Sequence, residues 1–230
     1  KGVDQVGYKK VGLIGAMAEE IALFEQQLER SSETVVAGIR FLEGTLCGKS
    51  VVLCRSGVGK VNAAMTTQIL IDRFGTEAIL FTGVAGAVDP ELGVGHIVIS
   101  DRCVQHDMDV TALGFPKGVI PYQELTEFRA DGGLKELAYG VSTELFPGEV
   151  KVGDILSGDQ FIADPAKVAR LYEEFRGACV EMEGAAVAQV CALNGIPFVI
   201  VRCMSDKADG SAGVDFGEFV QMAANRSIQI

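Results

Sequence analysis

Short apolar runs alternate along the chain with longer segments in which apolar and polar positions recur at helical spacing. Runs such as 51–54 and 198–204 have the length of buried strands, whereas segments such as 60–74 have the pattern of amphipathic helices. This alternation is typical of a mostly parallel sheet that carries helices on its faces. The pattern therefore predicts an α/β protein.

The predicted elements follow from these runs and from the glycine, proline and capping signals between them. Two segments have no clear period, the long connection 106–128 and the glycine-containing stretch 205–215, and connections of this kind commonly carry function. Strands are predicted at Val11–Ile14, Arg40–Leu46, Val51–Cys54, Ala78–Thr82, His96–Val104, Lys151–Ser157, Ala178–Met182 and Phe198–Met204, and helices at Glu19–Glu29, Lys60–Phe74, Asp131–Leu145, Pro165–Glu174, Glu183–Leu193 and Asp215–Ile230.

Length and charge restrict the class of protein. The 230 residues suffice for a substantial core, and no stretch has linker composition, so 11–230 is predicted to be one domain and 1–10 a leader or appended segment. A net charge of −11 disfavours binding to a phosphate backbone. No apolar run approaches the roughly 20 residues that span a bilayer. Neither nucleic acid nor membrane is therefore an expected partner.

Cysteine usage indicates the compartment. The six cysteines lack C-x-x-C spacing and lie in apolar, strand-like or helical contexts. We therefore expect reduced core residues in a cytoplasmic protein. An export signal removed earlier would leave the same sequence.

Glycine clusters raise the question of a phosphate site. A P-loop requires glycine five residues before Gly59 and Ser or Thr after Lys60, but the chain has Cys54 and Val61 there. The stretch "LIGAMAEE" likewise fails the G-x-G-x-x-G pattern of dinucleotide sites. The "HDMD" of 106–109 lacks a second spaced ligand cluster. Neither a metal nor another cofactor is therefore predicted.

Acidic and glycine residues follow several predicted strands. Gly83 and Gly86 follow one strand, where they would serve a tight turn or allow a ligand to approach the backbone. Glu20 lies in the first turn of the helix after the first strand, and Asp206 follows the last strand. Dipole complementation and turn chemistry are the ordinary explanations for these acids. Open α/β sheets bind ligands at the carboxyl ends of strands, which favours a functional role.

Two carboxylates meet at one junction between strand and helix. Glu181 and Glu183 flank Met182, and on a strand the period of two would place both carboxylates on one side. Glu183 would begin the following helix, whose N-terminus is expected to keep it ionised. Arg202 lies in an apolar strand and needs a buried anion. Glu181 or Glu183 would supply it, and we predict Glu181.

These pieces together resemble one family, the 5′-methylthioadenosine/S-adenosylhomocysteine nucleosidases. The resemblance covers nearly the whole chain from Val11 onward. It implies a single-domain, three-layer α/β/α fold of the nucleoside-phosphorylase type with a mixed central sheet. It also implies hydrolysis of the N-glycosidic bond of these nucleosides to adenine and the 5′-thioribose product, without a cofactor. The stretches are "GLIGAMAEEI", "SGVGKVNAA", "FTGVAGA", "GHIVISD", "HDMDVTALGF", "SGDQFI", "VEMEGAAVAQVC" and "VRCMSDKAD".

The resemblance implies roles for individual residues. Glu20 is expected to activate water, Asp206 to protonate adenine N7 and Glu183 to bind the ribose hydroxyls. Cleavage through an oxocarbenium-like transition state requires an activated water and a protonated leaving group. Phe161 is expected to stack on the purine, and the backbone of Ile162 to read its edge. The other substrate-binding positions that the resemblance implies are Ala16, Met17, Val58, Val84, Glu181, Met182, Arg202, Ser205 and Phe216.

The resemblance also implies a homodimer in which the long connection reaches the neighbouring subunit. There it would line the pocket for the 5′-alkylthio group, with Val110, Leu113, Phe115 and Pro121. Two positions depart from the family pattern. Val84 stands where many members have serine, which removes a hydroxyl near the ribose. Leu113 stands where an aromatic residue is common, which is expected to widen the 5′ pocket.

Three alternatives share this fold. They are a purine nucleoside phosphorylase, a hydrolase acting on 6-amino-6-deoxyfutalosine, and a non-catalytic adenosine-binding module. A phosphorylase binds phosphate beside the ribose, normally with arginines, whereas the first loop here offers Ala16, Met17 and the acid Glu20. This composition favours water over phosphate. Arg55, at another strand end, is the nearest cation that could serve a phosphate.

Overall fold

The apolar runs form the strands of one mixed sheet. The structure is a computed structural model that describes residues 7–206, 221–222, 225–226 and 230. Its strands are β1 (Lys10–Gly15), β2 (Glu29–Val36), β3 (Ile39–Leu46), β4 (Lys49–Arg55), β5 (Ala78–Ala87), β6 (Ile97–Gln105), β7 (Phe128–Arg129), β8 (Val150–Ser157), β9 (Cys179–Glu181) and β10 (Phe198–Asp206). Its helices are α1 (Ala18–Gln27), α2 (Lys60–Phe74), α3 (Gly132–Leu145), α4 (Pro165–Phe175) and α5 (Gly184–Asn194).

The sheet closes on itself at one end. In the order β5, β9, β8, β6 and β10, each strand pairs with the next, and β10 pairs again with β5. From β5 the sheet continues through β1, β4, β3 and β2. Parallel pairs such as β1–β5 coexist with antiparallel pairs such as β3–β4. The predicted mixed sheet is confirmed.

Neighbouring residues of β1 show that helices cover both faces of the sheet. Leu13 packs in a cluster with Ile21 and Phe24 of α1, whereas Ile14 belongs to the cluster that contains Ala63 and Leu70 of α2. Successive side chains of a strand point to opposite faces. Helices α1 and α2 therefore lie on opposite sides of the sheet, and the predicted three-layer α/β/α fold is confirmed.

Strand β2 was not predicted, and its polar sequence explains why. The segment "ERSSETVV" is mostly exposed and pairs only with β3, at the edge of the sheet. The turn between the two strands places Ala37 and Gly38 at φ values of 50° and 76°, the left-handed pair that hairpin turns require. The predicted helix Glu19–Glu29 is correspondingly too long, since α1 ends at Gln27 and Glu29 begins β2.

The predictions for the irregular segments and for the cysteines have mixed outcomes. The long connection 106–128 contains a short 3-10 helix at Thr111–Leu113 and precedes the two-residue strand β7. Most of the predicted C-terminal helix and of 205–215 lies outside the described residues. The cysteines of this part of the chain are free, and Cys47 is exposed in the β3–β4 turn, so its predicted core position is wrong. None of the helices in the described ranges has the length and apolar character needed to cross a bilayer.

Candidate active site

A cavity of about 240 Å³ opens where several strands end. Its walls come from the carboxyl ends of β1, β5, β8, β9 and β10 and from the loop after β4. This is the edge at which α/β sheets bind ligands. The lining residues are Ala16, Met17, Glu20, Val58, Val84, Ala85, Gly86, Gln160, Phe161, Ile162, Val180, Glu181, Met182, Glu183 and Ser205.

The structure brings most of the predicted site residues together in this cavity. Of the predicted positions from one subunit whose side chains are described, only Arg202 is not in the lining, and it lies buried behind Glu181. Sequence reasoning missed Ala85, Val180 and Gln160. Each of the three is adjacent in sequence to a residue or glycine motif that was predicted to belong to the site, and this adjacency is the signal that could have found them.

Glu20 enters the cavity from the first turn of α1. Its side chain is 4% exposed, and Oε2 accepts the backbone N–H groups of Ala16 at 2.6 Å and Met17 at 2.8 Å. Oε1 accepts a single N–H, from Val84 at 3.2 Å. An ionised carboxylate offers about four acceptor positions, so among the described residues Oε1 of this cavity-lining side chain retains acceptor capacity. Burial raises the pKa of Glu20, while Arg202 and the three N–H groups lower it, and the net shift is upward.

Gly83 allows Arg202 to approach Glu20. A Cβ at this position would lie 2.4 Å from Nη1 of Arg202 and 2.7 Å from Oε1 of Glu20. Both atoms therefore border the space that the missing side chain leaves. Among the described residues, Nη1 of Arg202 has no hydrogen-bond partner. Gly83 and Gly86 lie within β5, which continues to Ala87, so the prediction that they follow the strand is wrong. At Gly83 the missing side chain leaves room for two charged groups of the protein itself, instead of a tight turn.

The predicted ion pair between Glu181 and Arg202 is confirmed. Arg202 is 1% exposed, and its Nε and Nη2 both donate to Oε2 of Glu181, the first at 3.1 Å. Its guanidinium also lies 4.0 Å from the ring centre of Phe81. Glu181 further accepts the backbone N–H of Gly184 and the hydroxyl of Ser157. Glu181 therefore joins β8, β10 and the start of α5.

Glu183 occupies a different environment from Glu181. Strand β9 ends at Glu181, so the strand alternation expected for the two acids does not continue to Glu183. Oε2 of Glu183, at the start of α5, accepts the N–H of Gly59 in the loop after β4 at 2.9 Å. Burial and the neighbouring Glu181 raise the pKa of Glu183 to about 8. This upward shift runs against the expected effect of a helix N-terminus, because the N–H groups of Gly184 and Ala185 bind Glu181 and Ser157 instead of Glu183.

The predicted purine platform lies on the segment after β8. Phe161 is 63% exposed at the cavity wall, and Ile162 is buried beside it. Asp206 ends β10, where its backbone is in register with Gly86 after a bulge, and only its backbone is described. Ser205 lines the cavity, and its hydroxyl donates to the carbonyl of Ala85 at 3.4 Å. Phe216 lies outside the described residues.

The residues predicted to serve a neighbouring subunit do not line this cavity in their own chain. Leu113 is 64% exposed, and Phe115 packs edge-on against the exposed ring of Tyr122 at 5.3 Å between centroids. The N–H of Gly118 donates to the carbonyl of Met108 at 2.8 Å and closes the base of this connection. The segment thus presents apolar side chains away from its own pocket.

Comparisons with known proteins agree with this geometry. The sequence model described as "Phosphorylase superfamily" matches residues 10–230. The 5′-methylthioadenosine/S-adenosylhomocysteine nucleosidase of Geobacillus thermodenitrificans is 44% identical over 222 residues, covering 96% of this chain and 94% of the relative. The crystal structure of the nucleosidase of the same description from Neisseria meningitidis, in complex with methylthio-immucillin-A, superposes with a TM-score of 0.90 at 40% identity and 96% coverage of both chains.

A second activity occurs among the solved structures. The futalosine hydrolase of Helicobacter pylori superposes with a TM-score of 0.88 at 34% identity, again over 96% of both chains. Curated relatives from Geobacillus and Shewanella, at 43–44% identity, share the nucleosidase description. This chain belongs to the phosphorylase superfamily and, within it, to the 5′-methylthioadenosine/S-adenosylhomocysteine nucleosidase family.

Proposed function

We propose that this protein hydrolyses the N-glycosidic bond of 5′-methylthioadenosine and S-adenosylhomocysteine, with Glu20 activating water, Asp206 protonating adenine N7 and Glu183 binding the ribose hydroxyls. One observation carries the proposal. The cavity presents the carboxylates of Glu20 and Glu183, and no lysine or arginine is among its described lining residues. Arg55, the nearest candidate for a phosphate-binding cation, is exposed and outside the lining. This arrangement favours water and a cationic sugar over a phosphate nucleophile.

The contacts of Glu20 suit a general base. Three backbone N–H groups fix the carboxylate, which lines the cavity and keeps acceptor capacity on Oε1 within the described structure. A raised pKa makes the carboxylate a stronger proton acceptor near neutral pH. Nη1 of Arg202, which has no hydrogen-bond partner among the described residues, lies buried near Oε1 at Gly83, so its charge would help to hold the carboxylate while Glu20 deprotonates a water in the cavity.

Protonation of the leaving base falls to Asp206. Its place at the end of β10, opposite Gly86, puts its backbone beside the cavity wall formed by β5. A neutral adenine leaves more easily than an anionic one, so the acid complements the base on the other side of the sugar. Glu183 would accept hydrogen bonds from the ribose hydroxyls, and in its ionised form it would stabilise the positive charge that develops on the ribose.

The 5′ end of the substrate would lie against apolar residues of a second subunit in a homodimer. The exposure of Leu113, with Val110, Phe115 and Pro121 on the same connection, supports this arrangement. Val84 adds an apolar side chain where a serine would add a hydroxyl. We place the reaction in the cytoplasm, in line with the free cysteines of the described chain, where it would serve methionine salvage.

A substrate panel tests the proposal. The protein is incubated with 5′-methylthioadenosine, S-adenosylhomocysteine, 5′-deoxyadenosine and 6-amino-6-deoxyfutalosine, and the products are identified by mass spectrometry. Release of adenine from the two thionucleosides at the highest kcat/KM is expected. Exclusive cleavage of 6-amino-6-deoxyfutalosine would favour the second candidate, to which the similarity with the futalosine hydrolase points. Binding without turnover of any substrate would indicate an adenosine-binding module.

A further inference from the structure

A cluster of charged residues lies beside the cavity, outside the residues assigned above. Nζ of Lys60 donates to Oδ1 of Asp107 at 2.7 Å and to the side-chain oxygen of Gln105 at 3.3 Å. Oδ2 of Asp107 accepts the backbone N–H of Asp159 at 2.9 Å. Oδ1 of Asp159 in turn accepts the backbone N–H of Lys60 at 2.8 Å. Three segments, after β6, after β8 and at the start of α2, thus meet in one closed ring of hydrogen bonds.

The ring does not line the cavity, but it adjoins the segments that carry two parts of the cavity wall. Lys60 follows Gly59, whose N–H binds Glu183 at 2.9 Å, and Asp159 lies two residues before Phe161. The Gly59 backbone has a φ of 97°, and a Cβ there would lie 3.2 Å from Oδ1 of Asp159. Helix α2 has no side-chain cap of its own at Gly59, so Asp159 supplies the acidic group at its N-terminus.

Asp107 is the member that holds the ring together. Its two oxygens bind the two other segments separately, through Lys60 and through Asp159. The side chains of Lys60 and Asp107 are only 18% and 21% exposed, so water replaces their contacts less readily than at a surface ion pair. Burial alone would raise the pKa of Asp107, but the bonds from Lys60 and Asp159 more than offset it, and the carboxylate is ionised.

We propose that Asp107 is a positioning residue, which through Lys60 and Asp159 fixes the Gly59 N–H on Glu183 and the segment that carries Phe161. The inference rests on the proposed function, since it assigns the ribose to Glu183 and the purine to Phe161. Loss of the ring frees the Gly59 loop to move away from Glu183 and Phe161 to move with the loop after β8. Ribose and base contacts are then weakened together.

The test measures binding, so it does not depend on turnover. The probe is formycin A, an adenosine analogue whose base is joined to ribose by a carbon–carbon bond, titrated calorimetrically. Asp107→Asn and Lys60→Met are each expected to weaken binding about tenfold, the order of a lost charge-assisted hydrogen bond. Lys60→Arg keeps the charge and is expected to restore most of the affinity. Lys135→Met removes a comparable ion pair, 2.6 Å to Asp101, away from the cavity and should bind as wild type does.

Melting temperatures separate positioning from general stability. If Asp107→Asn does not fold, Lys60→Met and Lys60→Arg still test the proposal, because Lys60 is partly exposed. Wild-type affinity for formycin A in Asp107→Asn and Lys60→Met, with or without a lowered melting temperature, would overturn the proposal. Wild-type protein that binds formycin A yet cleaves no nucleoside would contradict the proposed function alone, and the affinities would still test Asp107.

Discussion

Arg202 and Glu181 form a buried ion pair in which two nitrogens of the guanidinium donate to one carboxylate oxygen. Glu181 also binds the N–H of Gly184, while Nη1 of Arg202, near Glu20, has no hydrogen-bond partner in the part of the chain that the structure describes. The ion pair between Arg202 and Glu181 therefore fixes the start of α5, directly after Glu183. It also places the guanidinium of Arg202 near Glu20. The doubled acid of "VEMEG" has two causes, since Glu181 holds the framework and Glu183 faces the cavity.

Removal of the charge of Glu181 is expected to destabilise the fold. Glu181→Gln leaves the guanidinium of Arg202 buried without its anion, and we expect a loss of about 3 kcal/mol in the free energy of unfolding. Urea denaturation measures it. The double variant Glu181→Gln/Arg202→Met should lose less than the sum of the two single variants. Strict additivity, or a loss below about 0.5 kcal/mol, would contradict a coupled pair.

A methyl group at Gly83 is expected to disrupt the site. Its Cβ would meet Arg202 and Glu20 at less than contact distance, so Gly83→Ala should lower both stability and kcat. Gly140→Ala is the matched control, because a Cβ there meets nothing within 4 Å and alanine favours a helix over glycine by about 1 kcal/mol. Thermal melting and initial rates compare the two. Full activity in Gly83→Ala would show that the close approach has no functional role.

Glu183 is expected to make stability depend on pH. Its pKa is raised from 4.5 to about 8 by burial, so the folded state holds the proton more tightly than the unfolded state. Its stabilising contribution is complete below the unfolded pKa of 4.5 and is lost as pH rises through about 8. Glu183→Gln has no charge to bury, so its melting temperature should exceed that of wild type by several degrees above about pH 8, but not near pH 5. If the difference in melting temperature between Glu183→Gln and wild type did not change with pH, the raised pKa of Glu183 would not be its cause.

Loss of either proposed proton-transfer group is expected to affect turnover more than binding. Glu20→Gln and Asp206→Asn should each lower kcat by about 10²-fold or more, the usual contribution of general acid–base catalysis. Their affinities for formycin A should stay within several-fold of wild type. Initial rates with 5′-methylthioadenosine and calorimetry test both statements. If either variant retained wild-type kcat, the residue would have no role in proton transfer.

The sequence predicted the strands that build the core because their apolar runs are local signals. It missed β2, whose polar residues lie at the sheet edge, where burial imposes no apolar pattern. Nor does any local pattern indicate that β5 pairs with both β9 and β10, since these pairings join residues about a hundred positions apart. The fold class was therefore predictable and the closure of the sheet was not.

The part of the site that is formed by polar residues at strand ends could be predicted from the sequence. Glu20 and Glu183 stand out in local motifs, Phe161 was expected from the family resemblance, and all three line one cavity. The cost of a buried charge required an anion beside Arg202, and the structure shows that it is Glu181. The raised pKa of Glu183 was not predictable, because it depends on burial by distant segments and on Glu181, and it outweighs the opposing hydrogen bond from Gly59, 124 residues away. The ring around Asp107 likewise joins three separate segments.

The origin of the oxygen added to the sugar tests the central claim most directly. The protein is incubated with 5′-methylthioadenosine and inorganic phosphate in ¹⁸O-labelled water, and the sugar product is analysed by mass spectrometry. The account predicts free 5-methylthioribose that carries one ¹⁸O, with adenine released at the same rate when phosphate is omitted. A sugar 1-phosphate product, or adenine release that requires phosphate, would contradict it.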